Sequence, residues 1–328
     1  MKKPFLFLAG LLIVLFCFTP CYAADLADIE KRVQIVEQIP DGAELDAIAA
    51  ALEPEAATDP AAGFLLARAY VAREKMIARQ AGATPVREPR LYSTGNYSDK
   101  AVLLIHGFTA CPWEMADLGE FLRQQGVNAY ARRLAGHGTR PEDLLKIKWP
   151  DWYQTVEEGL RVTRLLGKEV YVMGVSTGGA LTVKLAAEHP EEIRGVVCLA
   201  PAIYLADWKS SLTGVVRFFV KYNVRPLKEE FKPYYYEERA MSAIYQLVKL
   251  TRHVRRIADT VTVPILIVQS RADKTVKPKG AEFLYNEVAS PDKNIFWLED
   301  SPHVLTTHEN PHQKEVFEQV RLFLEQQR

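Results

Sequence analysis

The chain has 328 residues, of which 48% are hydrophobic and 25% are charged, and its formal net charge at pH 7 is zero. This length allows one large domain or two modest ones with a sizeable core, as in a soluble globular protein. A neutral balance excludes a strong overall field that would attract nucleic acid, so we expect no nucleic-acid partner.

The N-terminus is predicted to be a secretory signal peptide. Lys2 and Lys3 form a basic start, residues 5–18 form an apolar run, and cleavage is expected after Ala23. The apolar run is short for a bilayer span, which takes about 20 residues. We therefore expect export to the periplasm or the medium. The alternatives are an uncleaved membrane anchor and lipid attachment at Cys21.

Residues 24–90 are predicted to form a helical extension followed by a linker. Apolar side chains recur there at helical spacing, among them Leu26, Ile29 and Val33. Two interruptions that contain Pro and Asp divide the stretch into two or three helices. We expect this extension to pack against the domain that follows, and docking to a membrane or a partner protein is the alternative.

Strand-like and helix-like segments alternate through residues 91–328, which predicts a mostly parallel sheet with helices on both faces. The predicted strands are 101–105, 127–132, 170–173, 195–199, 264–268 and 295–298. A helical stretch rich in aromatic residues interrupts the alternation at about 201–261, and we expect it to form a cap over the sheet. Functional groups of such sheets gather at the carboxyl ends of the strands.

The predicted strand 170–173 leads into Gly174-Val175-Ser176-Thr177-Gly178 and then into a helix-like stretch. A serine on a sharp strand-to-helix turn has a strained backbone, and glycines two residues away on either side leave room for the turn. Its hydroxyl group is then exposed at the edge of the sheet. The pentapeptide therefore predicts that Ser176 is a nucleophile, and an ordinary turn before a helix is the alternative.

A serine nucleophile needs a histidine base and a carboxylate that orients the base. Among the seven histidines, His303 follows the strand 295–298 late in the chain, where the order Ser, Asp, His places the base. His137, in a loop rich in glycine, is the alternative base. Asp273 follows the strand 264–268 and is the expected acid, although an aspartate here also suits a turn or a helix N-cap.

The negative charge that develops on a substrate carbonyl needs two N–H donors. One expected donor is the N–H of Thr177, directly after the nucleophile. The other is expected from Phe108, in the loop His106-Gly107-Phe108-Thr109 that follows the strand 101–105. The sequence contains no C-x-x-C pair, no H-E-x-x-H and no Walker motif, so we expect neither a metal nor another cofactor.

Two cysteines, Cys111 and Cys198, remain once the signal peptide is removed. An exported domain of this size with two cysteines is not a disulfide scaffold. Cys198 lies in an apolar strand-like run, which favours a small core side chain. A bridge between the two cysteines is the alternative.

These motifs, in this order, resemble the α/β-hydrolase superfamily, and within it bacterial carboxylesterases and monoacylglycerol lipases. The resemblance runs from about residue 92 to residue 327. It rests on His106-Gly107-Phe108-Thr109, Gly136-His137-Gly138, Asp151-Trp152, the pentapeptide at Ser176, Arg271-Ala272-Asp273, Leu284-Tyr285-Asn286-Glu287 and Ser301-Pro302-His303-Val304. It implies an α/β-hydrolase fold with Ser176, Asp273 and His303 as catalytic triad and with Phe108 and Thr177 as oxyanion donors.

The expected protein is an exported serine ester hydrolase that acts on short- to medium-chain acyl esters, with monoacylglycerols among them, through an acyl-enzyme. The expected partners are a small acyl ester and, peripherally, a membrane. A thioesterase or a peptidase or amidase with the same triad is the alternative. A further alternative is a non-catalytic protein that interacts with the cell envelope.

Overall fold

The computed structural model describes residues 25–207 and 212–327. The predicted signal peptide lies outside these residues. Within them, no helix has both the length and the apolar character needed to cross a membrane.

Helices and strands are numbered separately in chain order. The helices are α1 (Leu26–Gln38), α2 (Gly42–Leu52), α3 (Pro60–Gln80), α4 (Ala116–Gln124), α5 (Trp149–Arg164), α6 (Thr177–Glu188), α7 (Thr213–Val216), α8 (Met241–Ile257), α9 (Lys279–Glu287) and α10 (Gln313–Gln326). The strands are β1 (Arg90–Tyr92), β2 (Ser98–Ile105), β3 (Asn128–Arg132), β4 (Gly167–Val175), β5 (Gly195–Leu199), β6 (Tyr222–Val224), β7 (Glu238–Ala240), β8 (Ile265–Ser270) and β9 (Lys293–Leu298).

The central sheet has the strand order β1-β3-β2-β4-β5-β8-β9. All neighbours run parallel except β1, which pairs antiparallel with β3. Ile105 lies opposite Gly174, and Val175 lies opposite Leu199, so the carboxyl ends of β2, β4 and β5 are level. The loops that leave these strands therefore meet at one edge.

Helices cover both faces of the sheet. The connection from β2 through α4 to β3 runs along the sheet in the opposite direction to the connection from β4 through α6 to β5. Because such crossovers are right-handed, α4 and α6 lie on opposite faces. α10 packs beside α4, where the rings of Phe121 and Phe317 are 5.2 Å apart. Strands β3, β5 and β8 are buried along their whole length, as is typical of parallel sheets with helices on both faces.

The three N-terminal helices begin at side-chain caps. Asp25, Asp41 and Asp59 each accept a hydrogen bond from a backbone N–H of the first turn, which stabilises a helix start. Their apolar faces form a cluster of their own. The helix α3 also adds Phe64 to the core around the sheet, so the extension packs on the domain that contains the sheet.

The cap differs from the helical insertion that the sequence predicts. Its described part contains the short helix α7 and the long helix α8, together with an antiparallel pair of strands, β6 and β7. Pro226 and Pro233 lie between these strands, and proline interrupts a helix because it lacks an N–H group. Strands of three residues are too short for a periodic apolar pattern, so the sequence does not predict them.

Candidate active site

Ser176 occupies the sharp turn between β4 and α6. Its φ is +56° and its ψ is −112°, a backbone conformation that few residues other than glycine adopt. A Cβ atom on Gly178 would overlap the carbonyl oxygen of Ile105, and one on Gly174 would overlap the backbone of Gly178. The two glycines thus let the helix approach the strands closely enough to form the turn.

Backbone hydrogen bonds hold this strained residue in place. The N–H of Ser176 donates to the carbonyl of Leu199 at 2.9 Å, and the carbonyl of Ser176 accepts the N–H of Ala202 at 2.9 Å. Both partners belong to the end of β5 and the residues that follow it. The neighbouring strand therefore fixes the direction in which the Ser176 side chain leaves the sheet.

The three side chains predicted as a triad are brought together from the ends of three strands. The Oγ of Ser176 lies 2.9 Å from Nε2 of His303, and Nδ1 of His303 lies 2.7 Å from Oδ2 of Asp273. The side chain of Asp273 is completely buried, whereas 15% of the His303 side chain is exposed. In this arrangement, His303 can accept the serine proton while Asp273 holds the ring.

Asp273 is held as an anion by four donors. Its Oδ1 accepts the N–H groups of Thr275 at 2.7 Å and Val276 at 3.0 Å, and its Oδ2 accepts Gln269 Nε2 at 3.1 Å. Burial acts to raise the pKa of Asp273, but the hydrogen bond and charge of His303, together with the two backbone donors, outweigh burial. The pKa therefore lies below its ordinary value.

The loop with Phe108 lies against the Ser176 turn. A Cβ atom on Gly107 would stand 3.4 Å from Cβ of Ser176. His106 braces this loop, because its Nε2 accepts the N–H of Leu134 at 3.1 Å and its Nδ1 then donates to the carbonyl of Gly107 at 2.9 Å. Burial lowers the pKa of His106 well below its usual value, so the ring is neutral.

Thr177 is the first residue of α6. Its N–H belongs to the first turn of the helix, where N–H groups have no partner within the helix, and the positive end of the helix dipole lies there. Thr177 directly follows Ser176, and the loop with Phe108 packs on the same turn. The two predicted oxyanion donors thus belong to segments that meet at Ser176.

His137, the alternative base, lies in a different position. It is completely buried, and its Nδ1 donates to the carbonyl of Ala135 at 3.1 Å. Its ring packs edge-on against Phe108 and Trp152, with centroids 5.9 Å and 5.8 Å away. Burial lowers the pKa of His137 to about 4. His137 therefore supports the Phe108 ring as a neutral side chain, and the contact with Ser176 Oγ belongs to His303.

Glu114 is a site residue that the sequence did not reveal. It is buried, its Oε2 accepts the N–H of Gly107 at 2.6 Å, and its Oε1 accepts the hydroxyl of Tyr235 at 3.0 Å. Its backbone carbonyl accepts the hydroxyl of Thr306, in the loop that follows His303, at 2.6 Å. The sequence signal for this role is a carboxylate that stands among apolar residues shortly after the Phe108 loop.

Three consecutive tyrosines, Tyr234 to Tyr236, fasten the cap to this loop, and we name them the tyrosine clamp. Tyr234 stacks on Trp113 with ring centroids 3.6 Å apart, and Tyr235 donates to Glu114. The N–H of Tyr236 donates to the carbonyl of Thr109 at 3.0 Å. Each tyrosine therefore contacts the segment that begins with the Phe108 loop.

The cysteines and the metal-binding side chains of the described residues can also be placed. Cys111 and Cys198 are both buried and both free, so the two are not joined as a disulfide. Among residues 25–207 and 212–327, no group of three or more His, Cys, Asp and Glu side chains is placed to hold a metal ion.

Comparison with known proteins places this chain in a family. The family described as Serine aminopeptidase, S33, matches residues 96–310. A carboxylesterase of Bacillus subtilis is 32% identical over 215 residues, which cover 63% of this chain and 86% of the relative. A thermostable monoacylglycerol lipase of Bacillus sp. strain H-257 is 32% identical over 208 residues, covering 62% of this chain and 83% of the lipase.

Solved structures agree with the observed architecture. The structure reported for the metagenome-derived lipolytic enzymes LipS and LipT superimposes with a TM-score of 0.69 at 27% identity, over 74% of this chain and 99% of that one. The monoacylglycerol lipase of Paleococcus ferrophilus superimposes with a TM-score of 0.61 over 73% of this chain and 98% of its own, and at 18% identity it shows the fold alone. The predicted α/β-hydrolase fold is confirmed. The chain belongs to the serine aminopeptidase S33 family, and it is an α/β hydrolase of the carboxylesterase and monoacylglycerol lipase type.

Proposed function

We propose that this protein hydrolyses short- to medium-chain carboxylic esters, monoacylglycerols among them, through an acyl-enzyme on Ser176. One observation carries the proposal: Ser176, His303 and Asp273 form a continuous hydrogen-bonded chain, and its serine stands on a strained turn. The relatives named as carboxylesterase and monoacylglycerol lipase support an ester as the substrate.

The reaction begins when Oγ of Ser176 attacks the ester carbonyl carbon while Nε2 of His303 takes the hydroxyl proton. The N–H groups of Phe108 and Thr177 stabilise the tetrahedral oxyanion, and the carboxylate of Asp273 stabilises the imidazolium. His303 then protonates the leaving alcohol. Water, deprotonated by His303, releases the acid from the acyl-enzyme and restores the free serine.

A second candidate is hydrolysis of an amide at the N-terminus of a peptide. The description of the matching family, which names an aminopeptidase, favours it. The same triad would attack an amide carbonyl, with His303 protonating the leaving amine. The two candidates therefore differ in the substrate and not in the residues that act on it.

Substrate panels separate these candidates. Purified protein would be assayed with p-nitrophenyl esters of increasing acyl length, with monoacylglycerols and with aminoacyl p-nitroanilides. We expect ester turnover to dominate and Ser176→Ala to lower it by about 10⁴-fold or more, while Ser93→Ala, beyond the end of β1, leaves it unchanged. Most of the ester activity surviving in Ser176→Ala would refute the assignment, and faster turnover of the anilides would establish the second candidate.

We also propose that the protein is exported after cleavage behind Ala23. The basic start at Lys2 and Lys3 and the apolar run 5–18 support this location. Cell fractionation followed by N-terminal sequencing tests it. A mature chain that begins at Ala24 outside the cytoplasmic fraction is expected, whereas an intact N-terminus in the membrane fraction would favour the anchor.

A further inference from the structure

Arg87, in the linker between the extension and the sheet, holds two other parts of the chain. Its Nε donates to the carbonyl of Pro233 at 2.6 Å, and its Nη2 donates to the carbonyl of Lys232 at 2.9 Å. Its Nη1 donates to the carbonyl of Thr139 at 3.2 Å. The guanidinium also lies 5.6 Å from the ring centroid of Tyr236. One planar fork of donors therefore joins the linker both to the cap and to the loop after β3.

The linker backbone is itself held by the last turn of α3. Arg79 donates through Nε to Oε1 of Glu88 at 2.7 Å and through Nη2 to Oε2 at 3.1 Å, and only 6% of the Glu88 side chain is exposed. On the other side, a Cβ atom on Gly138 would stand 3.1 Å from the carbonyl oxygen of Arg87, so the linker lies directly against the loop after β3. Arg87 therefore extends from a segment whose position is set by the extension.

A second contact joins the extension to the same region. Glu74 of α3 pairs with Arg132, the last residue of β3, at 2.7 Å, and only 6% of the Arg132 side chain is exposed. Two residues further on, the N–H of Leu134 donates to Nε2 of His106, which braces the Phe108 loop. Because a buried cation that loses a counter-charge is costly, Glu74 fixes α3 against this strand end.

The residues that Arg87 holds in the cap directly precede the tyrosine clamp, which begins at residue 234. Thr139 accepts Arg87 through its carbonyl and donates its N–H to the hydroxyl of Tyr236 at 2.6 Å, so Arg87 and Tyr236 together fasten the cap to the loop after β3. The clamp in turn binds the Phe108 loop through the carbonyl of Thr109 and through Glu114. An unbroken series of contacts thus runs from the extension to the Phe108 loop.

We propose that Arg87 is a positioning residue for ester hydrolysis. From the linker it holds the base of the cap, and the tyrosine clamp passes that constraint to the Phe108 loop with its proposed oxyanion donor. In this role Arg87 acts through the clamp and touches neither the substrate nor the reacting atoms. The proposal rests on the proposed function, because the donor needs this positioning only where an oxyanion forms. The extension thus takes part in setting the rate of turnover.

The first experiment compares Arg87→Ala with Arg32→Ala, which removes an ion pair to Glu44 inside the extension. Hydrolysis of a soluble short-chain p-nitrophenyl ester is measured, and kcat is expressed per Ser176 that a fluorophosphonate labels to completion, so that unfolded molecules are not counted. Losing one oxyanion donor costs about 10²- to 10³-fold in kcat, and a displaced donor is lost only in part. We therefore expect kcat of Arg87→Ala to fall by about tenfold with KM within about twofold of the parent, because the oxyanion forms only during reaction.

Arg32→Ala should leave both constants unchanged. A kcat of Arg87→Ala within about twofold of the parent, or an equal loss of kcat in Arg32→Ala, would overturn the proposal.

The second experiment asks whether the guanidinium itself is required, which a general loss of packing would not show. Arg87→Lys keeps the charge and can donate to some of the three carbonyls, but it lacks the planar fork, so its kcat should lie between those of Arg87→Ala and the parent. Low-millimolar guanidinium chloride, compared with the same concentration of sodium chloride, should raise kcat of Arg87→Ala, because position 87 is partly exposed and can admit the ion. If neither lysine nor guanidinium restores kcat, the positioning role is overturned.

The third experiment needs no hydrolysis. Amide hydrogen exchange is followed by mass spectrometry in peptides that cover residues 107–115 of the Phe108 loop and residues 232–240 of the cap base, with β8 as the internal reference. Removing a charged donor from backbone carbonyls should accelerate exchange in both peptides of Arg87→Ala by about tenfold and leave β8 unchanged. Exchange at 107–115 as slow as in the parent would overturn the proposal, whatever the value of kcat. Absence of ester hydrolysis in the parent would instead refute the proposed function, and the exchange result would still decide whether Arg87 holds the Phe108 loop.

Discussion

Tyr235 and Glu114 connect the cap to the Phe108 loop through two consecutive hydrogen bonds. The tyrosine hydroxyl donates to one carboxylate oxygen at 3.0 Å, and the other oxygen accepts the N–H of Gly107 at 2.6 Å. Gly107 directly precedes Phe108, whose N–H is a proposed oxyanion donor. The position of that donor therefore depends on a side chain that the cap itself holds.

Removing the Glu114 carboxylate should lower turnover. Glu114→Ala leaves the buried N–H of Gly107 and the half-buried hydroxyl of Tyr235 without this acceptor, and an unsatisfied buried donor costs about 1–3 kcal/mol. We expect kcat to fall by about 10- to 100-fold with a smaller change in KM, because the oxyanion forms only during reaction. Glu114→Gln, which keeps an oxygen facing Gly107, should recover most of kcat. A kcat of Glu114→Ala within twofold of the parent would contradict this role.

Asp273→Asn should separate catalysis from stability. An asparagine oxygen can still accept the N–H groups of Thr275 and Val276, but its NH2 group would face His303 Nδ1 and Gln269 Nε2. The ring of His303 would then adopt the wrong tautomer, which costs about 10⁴-fold in kcat in a comparable triad. Steady-state kinetics and thermal unfolding check this, with a Tm close to that of the parent expected. Retention of most activity would exclude Asp273 as the orienting acid.

Acidification should destabilise the protein through its buried histidines. Burial holds the pKa of His137 at about 4, whereas an unfolded histidine has its ordinary value of 6.5. Between these values the unfolded chain binds a proton that the folded chain does not, so the free energy of unfolding falls as pH falls from 6.5 to 4. His137 alone accounts for about 3 kcal/mol of this loss, and His106 acts in the same direction.

Urea unfolding at several pH values between 4 and 7 measures this dependence. His137→Asn should lower the slope of the unfolding free energy against pH, whatever the variant costs in absolute stability. His312→Gln is the control, because Glu315 and Asp300 raise the pKa of His312, and a raised pKa gives a slope of the opposite sign. An unaltered slope in His137→Asn would show that this histidine is not held neutral.

Gly178→Ala should destabilise the whole fold. The added methyl group would overlap the backbone of Ile105, and backbone atoms of β2 cannot move aside as a flexible side chain can. We expect a loss of about 3 kcal/mol or more in the free energy of unfolding. Gly42→Ala, where the new methyl group would meet Met76 at an ordinary 3.5 Å, is the matched control. Similar Tm values for the two variants would contradict the close approach of α6 to β2.

Strands β2, β4, β5 and β8 could be predicted because each contains a continuous apolar run that is buried. The strand predicted at 195–199 has the same bounds as β5. β4 is longer at both ends than the strand predicted at 170–173. Its first residues, among them polar Lys168 and Glu169, belong to the strand because they lie beside β2 and not because they are apolar. The three site side chains could be predicted from their order along the chain and their places after strands.

Elements that exist only through tertiary pairing could not be predicted. β1 has three residues and forms because Arg90 to Tyr92 lie along β3, which no local pattern signals. The contacts of Glu114 depend on how the cap sits on the Phe108 loop, more than 100 residues away in sequence. Local periodicity does not encode such long-range contacts.

The tyrosine clamp couples the position of the cap to that of the Phe108 loop. Lifting Tyr234 to Tyr236 away from the sheet would break the contacts with Glu114 and Thr109 and would release the loop that carries the proposed oxyanion donor Phe108. An open state of that kind would have no working oxyanion hole. In the proposed reaction, the tyrosine clamp therefore has to stay on the Phe108 loop while the oxyanion forms.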